Sequence, residues 1–211
     1  MSPVVPSPAP LHIWRVTRIG HRDLFPPSGG RSRFDDPEGG FATLYGALDR
    51  RAAFAESLQY FRPDLATRAE LARLRFAEVT VPAVTLRTWA AARELLDLRL
   101  PRGANLLDLR ESHAIEQVAT ALSGGLLKLG VSDFDSSQVV GPDRRITRSV
   151  AGWAFGEGFD GLLYPSRFAA AWTCCAFFDR IRPRVASRQP INTRDPDLTA
   201  VGASFGLRIS G

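Results

Sequence analysis

DRRITRSVAGWAFGEGFDGLLYPSRFAAAWTCCAFF, residues 143–178, carries both periodicities that decide the fold. Asp143 stands where a helix N-cap is wanted, and Ile146, Val150, Trp153 and Ala154 return every three or four residues as the apolar stripe of a helix reaching Gly158. From Gly161 to Tyr164 the pattern becomes that of a buried strand, ending at the polar tip Pro165-Ser166-Arg167, and Ala171 to Phe178 forms another. A helix followed by two strands with no helix between them breaks a regular βαβ alternation. The expected class is therefore α+β, with mixed central sheets and flanking helices.

Upstream, Leu11 to Thr17 reads as a strand with Ile13, Arg15 and Thr17 on one side and Trp14 and Val16 on the other. Gly20 to Gly40 has little apolar periodicity and much Gly, Pro, Arg and Asp, so it reads as a long loop, a kind that is usually functional or disordered. Phe41 to Ala47 is the next strand, and Asp49 caps a helix that runs to about Phe61 and stops before Pro63. The middle suggests strands from Leu74 to Val81 and from Ala83 to Arg87, then a helix from Thr88 to about Asp97. A further helix follows the N-cap candidate Ser112, carries Ile115, Val118, Ala119 and Leu122, and is expected to end at Gly124-Gly125. The tail after Pro183 is weakly patterned, and no internal repeat is visible.

At 211 residues and 45% hydrophobic content, one core can serve the chain. The longest apolar stretch, Phe168 to Phe178, contains Thr173 and is far shorter than the ~20 residues of a bilayer span. The first ten residues hold Pro3, Pro6, Pro8 and Pro10 and no basic start, which excludes a helical signal segment and makes a cytoplasmic location the expectation. Cys174 and Cys175 are adjacent and diverge, so a reduced compartment fits. No CxxC occurs and His12, His21 and His113 lack ligand spacing, so no metal is expected. The net charge of +5 raises a basic nucleic-acid-binding module as a rival, but the arginines are scattered and no helix carries a sustained basic face.

Four places offer chemistry. Gly29-Gly30-Arg31-Ser32-Arg33-Phe34-Asp35-Asp36-Pro37 sets arginines among turn-forming residues, where backbone and guanidinium groups approach an anion together, as in a phosphate cradle. Glu56 lies off the stripe of Phe54, Leu58 and Phe61, and its helical neighbours offer no salt bridge. A solvated surface position is the commonest fate of such a glutamate. Tyr45, at the end of the strand feeding that helix, is placed to fold its phenol toward the same cleft. Ser166 sits at the tip of a buried strand, without the G-x-S-x-G elbow or a histidine that would make it a nucleophile.

Taken together, Ile13-Trp14-Arg15-Val16, Arg33-Phe34-Asp35, Leu44-Tyr45, Ala53-Phe54-Ala55-Glu56, Arg145-Ile146-Thr147 and Gly161-Leu162-Leu163-Tyr164-Pro165-Ser166-Arg167 resemble the RES family in order and spacing, over most of residues 11–180. The resemblance implies a fold like that of ADP-ribosyltransferases. It divides the chain into a flexible Pro-rich start (1–10), a catalytic domain (11–184) and a C-terminal extension packed on it (185–211). It also implies a toxin that consumes NAD by cleaving the nicotinamide–ribose bond, as glycohydrolase or, with inorganic phosphate, as phosphorylase. ADP-ribosyl transfer to a protein is the alternative. The partner it implies is a helix-turn-helix antitoxin, and NAD is the substrate rather than a cofactor. Glu56, Arg33, Tyr45 and Ser166 are then the expected catalytic residues, and Arg15, Arg33, Tyr45, Thr147, Ser166 and Arg167 the NAD-binding set.

Overall fold

The structure, a computed structural model, describes residues 12–26, 30, 32–74, 79–81 and 83–209. Its strands are β1 (His12–Arg18), β2 (Thr43–Ala47), β3 (Val79–Val81), β4 (Arg93–Arg99), β5 (Leu106–Asp108), β6 (Gly161–Pro165), β7 (Thr173–Phe178), β8 (Arg184–Pro190) and β9 (Leu207–Ile209). Its helices are α1 (Arg50–Leu58), α2 (Leu65–Arg73), α3 (Ala83–Ala91), α4 (Ser112–Lys128), α5 (Ser136–Val140), α6 (Arg144–Gly156) and α7 (Pro196–Ser204). Seven strands form one mixed sheet in the order β5-β6-β7-β2-β1-β4-β8, and β3 pairs with β9 apart from it. Within the large sheet only β5 and β6 run parallel. The fold is α+β.

Three apolar clusters hold the sheet to its surroundings. Leu162, Tyr164, Cys174, Ala176 and Phe178 pack with α4, α5, α6 and the loop residues Phe34 and Phe41. Trp14, Val16, Ala47 and Leu95 pack with α1, α3 and α7. Ile13, Leu44, Leu96, Leu98, Leu163, Cys175 and Phe177 form the third. Because side chains alternate along a strand, the neighbouring thiols of β7 fall into different clusters, and both are free.

The two helices that flank the site begin as their sequences dictate. Asp49 accepts from the Arg51 and Ala52 amides at 2.7 and 3.3 Å, and Asp143 accepts from the Arg145 amide at 2.9 Å. Past Leu58 the α1 chain tightens into a 3-10 turn, Gln59–Phe61, ahead of Pro63.

Several elements differ from the sequence reading. Ala83 to Arg87 is helix, not strand, and Arg93 to Arg99 is strand, not helix. Leu95, Leu96 and Leu98 show no strand alternation, yet β4 lies between β1 and β8 with apolar clusters on both faces, so tertiary burial overrides the helix preference of Arg, Glu and Leu. Helix α2 was not anticipated: none of its residues is buried, so it has no apolar stripe to read. Of the strand expected over 74–81, Leu74 is a turn, 75–78 lie outside the described residues and Val79–Val81 is strand. Helix α4 continues through Gly124-Gly125 because Leu126 extends its buried stripe, and Glu111 rather than Ser112 holds the N-cap position. The stop comes at Gly130, at φ +81°, where Gly130 and Val131 amides donate back to the Leu127 and Leu126 carbonyls, each at 3.0 Å. Beyond Pro183 the chain supplies the edge strand β8 and then α7, whose Leu198 and Val201 pack against α1. Residues 1–11, with the Pro-rich start, and Gly29 and Arg31 of the glycine-arginine run lie outside the described residues.

Candidate active site

A cleft of about 590 Å³ opens where β1, β2, β6, α1 and the loop before β2 meet, a volume in the range of small-molecule sites. Strands β1 and β2 pair only at Trp14 with Ala47. Beside that sparse joint, Arg15 Nη1 donates to the Tyr45 carbonyl at 3.0 Å, so a guanidinium occupies a place where a ladder bond would otherwise lie. Burial lowers the Arg15 pKa from its ordinary value, though a guanidinium remains charged.

Arg33 reaches the cleft from the loop. Its Nη1 donates to the Val139 carbonyl at 3.1 Å and also to that of Gly141, tying the loop to the α5–α6 connection. Thr147, 1% exposed, donates its hydroxyl to the Arg33 carbonyl at 2.6 Å. It therefore holds Arg33 in place and does not line the cleft, which corrects its expected position among the ligand-contacting residues. The loop is further pinned by Arg148, which donates to the Gly30 and Ser32 carbonyls.

Tyr45 is brought to the cleft, but its phenol turns to Asp35 rather than to Glu56. The hydroxyl donates to Asp35 Oδ1 at 2.8 Å and accepts from the Phe34 amide at 2.8 Å. Burial, then the Asp35 charge, raises its pKa well above the ordinary tyrosine value. The ring lines the site while the hydroxyl anchors the arginine loop.

Glu56 projects from α1 into the cleft, half-buried rather than solvated. Ser166 Oγ donates to its Oε1 at 3.3 Å, and the Cys174 thiol approaches the same oxygen at 3.6 Å. Its second oxygen has no hydrogen-bond partner among the described residues. Burial raises the Glu56 pKa above the usual carboxylate range, opposed by Arg167, Ser166, Cys174 and Arg33. The Cys174 thiol is pushed well above its ordinary value by burial and by Glu56, so it stays protonated and donates. Ser166, 4% exposed, stands behind Glu56 and also accepts from the Phe168 amide at 3.2 Å.

Arg167 crosses the rim, its Nη2 donating to Gln59 Oε1 at 2.7 Å and its guanidinium lying 4.7 Å from the Phe168 ring. Arg144, in the first turn of α6, lines the opposite rim. Arg15, Arg33, Arg144 and Arg167 thus share one cleft, and among the described residues none is ion-paired with a carboxylate. Arg144 and Tyr164 escaped the sequence reading. A helix-start arginine after the Asp143 cap and a tyrosine two residues before Ser166 on a strand were the signals available. Among the described residues no group of three or more His, Cys, Asp or Glu side chains is placed to hold a metal ion, and no helix is long and apolar enough to cross a membrane.

A family model for the RES domain matches residues 12–200. Among solved structures, a chain of the crystal structure of the M. tuberculosis MbcT–MbcA toxin–antitoxin complex aligns with a TM-score of 0.56 at 17% identity, covering 89% of this chain and 87% of that one. Comparison with curated proteins finds no match.

Proposed function

From the premise that this chain belongs to the RES family, we propose that it cleaves the bond between nicotinamide and ribose in NAD. One observation carries the reading: among the described residues, four guanidinium groups without carboxylate partners line one cleft with a single carboxylate, Glu56, which feels the charge of Arg167 and Arg33. NAD matches that charge pattern, with an anionic pyrophosphate beside a cationic nicotinamide-ribose. Arginine forks suit the phosphates and fix the dinucleotide so that its glycosidic bond lies at Glu56.

When the bond breaks, its electron pair leaves with the nicotinamide nitrogen and positive charge develops on the ribose. A fixed carboxylate stabilises charge that appears mainly in the transition state. Ser166 and Cys174 hold one oxygen of Glu56, which leaves the other for the ribose. Thr147, Arg148 and the Tyr45 hydroxyl, through Asp35, keep Arg33 and its loop in place, while the Tyr45 ring faces the substrate. Four arginines that converge in a concave site favour a small anionic ligand over the outward basic face of a nucleic-acid-binding module.

The acceptor that completes the reaction is water, inorganic phosphate or a protein side chain, since all three share the steps above. We further propose that the chain is the toxin of a toxin–antitoxin pair acting on cytoplasmic NAD, with an antitoxin protein as its partner. The fold it shares with a chain of such a complex supports this. Incubating the purified protein with NAD, with and without phosphate and a cell extract, and weighing the ribose products tests the reading. ADP-ribose, its 1″-phosphate or a labelled protein identifies the acceptor, whereas NAD left intact in every mixture contradicts the proposal.

A further inference from the structure

Among the polar groups of the cleft wall that the steps above leave unused, one is both buried and without a hydrogen bond. Tyr164 of β6 is 8% exposed and lines the cleft, with its ring 4.7 Å from that of Phe34. Among the described residues its hydroxyl has no hydrogen-bond partner. Nor is it sealed in the interior: among the described residues the fully buried side-chain atoms without a hydrogen bond are Asp97 Oδ1 and Arg99 Nε, which form an ion pair with each other. A tyrosine nine-tenths buried normally finds a partner for its hydroxyl, because the unpaired group costs about 1–3 kcal/mol. Here the only direction left is the cleft.

Two neighbours narrow what would meet it. Tyr45, a partly buried phenol of the same site, has both donor and acceptor capacity engaged with Asp35 and Phe34. Ser166 lies two residues beyond Tyr164, so both project from the same side of the chain, and the phenol shares a wall with the Ser166–Glu56 pair. Burial, with Cys174 and Glu56 adding, raises the Tyr164 pKa well above its ordinary value, so the group is neutral and can both donate and accept. The phosphates have the arginines and the ribose has Glu56. What remains is a neutral group that both donates and accepts, on a flat aromatic ring.

We propose that Tyr164 binds the leaving base, its hydroxyl hydrogen-bonding the carboxamide of nicotinamide. The assignment rests on the NAD-cleavage reading, but binding of the free base tests it without turnover. The probes are nicotinamide and ADP-ribose, titrated separately into native and Tyr164→Phe protein by calorimetry, with thermal melting as a check on folding. Loss of one hydrogen bond weakens nicotinamide roughly five- to tenfold, leaves ADP-ribose affinity unchanged and does not lower the melting temperature. Equal nicotinamide affinity in both proteins overturns the assignment, as does a parallel loss for both ligands, which would mean a reshaped cleft. Native protein that binds no nicotinamide overturns it as well. Native protein that binds nicotinamide through Tyr164 yet leaves NAD intact overturns the cleavage reading alone.

Discussion

Ser166 and Cys174 both lean on one oxygen of Glu56, and the balance between their donation and the cost of burying a carboxylate sets when that group is charged. Donation from Ser166 lowers the Glu56 pKa, so Ser166→Ala raises it. If the carboxylate is the working form, the acid limb of the kcat/KM–pH profile of the variant moves to higher pH, and a limb that stays in place contradicts the role given to Ser166. Tyr45 acts on stability instead. Tyr45→Phe deprives the Phe34 amide of its acceptor and Asp35 Oδ1 of a donor, and is expected to lower unfolding free energy by about 1–3 kcal/mol in denaturant melts. The residue types of the site were legible in the sequence, since Arg33, Glu56 and Ser166 stand out in their local words. Which way each group points was not, because the partners of Tyr45 and Thr147 lie on other elements. Thr147 therefore looked like a ligand contact although its hydroxyl serves the Arg33 carbonyl.

At the scale of elements, α1 carries Glu56 and is fixed at both ends. Asp49 caps its start, Arg50 pairs with Asp195 and Asp197 at 2.5 and 3.1 Å, and its end tightens into the turn bearing Gln59. Asp49→Ala removes a cap from this helix and is expected to cost about 1 kcal/mol, read as a lower midpoint in urea. An unchanged midpoint would mean that packing alone sets the helix start. Caps of this kind are local, which is why α1 and α6 could be placed from sequence. Strand β4 could not, because its leucines report burial on two faces and not a period. Exposed α2 and edge strand β8 had too little apolar patterning to reveal either.

Across the whole molecule, the sheet brings β1, β2 and β6 beside α1, so that residues from the first third of the chain and from beyond position 160 share one cleft. The C-terminal segment takes part in this arrangement, since α7 packs on α1 and the Arg50 ion pairs join the two. The fold class was readable from the order of helices and strands, whereas the strand order, set by pairings far apart in sequence, was not. Such a site concentrates cost as well as function. Burial holds the folded-state pKa of Glu56 above its unfolded value, so its stabilising contribution is full at low pH and is lost as pH rises through that raised pKa. Glu56→Gln is therefore expected to melt no lower than the native protein at neutral pH. The most direct test of the account follows nicotinamide release from NAD by native and Glu56→Gln proteins at neutral pH, both checked for folding. The account predicts release by the native protein and a rate lower by roughly 10² or more in the folded variant, whereas equal rates from the two proteins would contradict it.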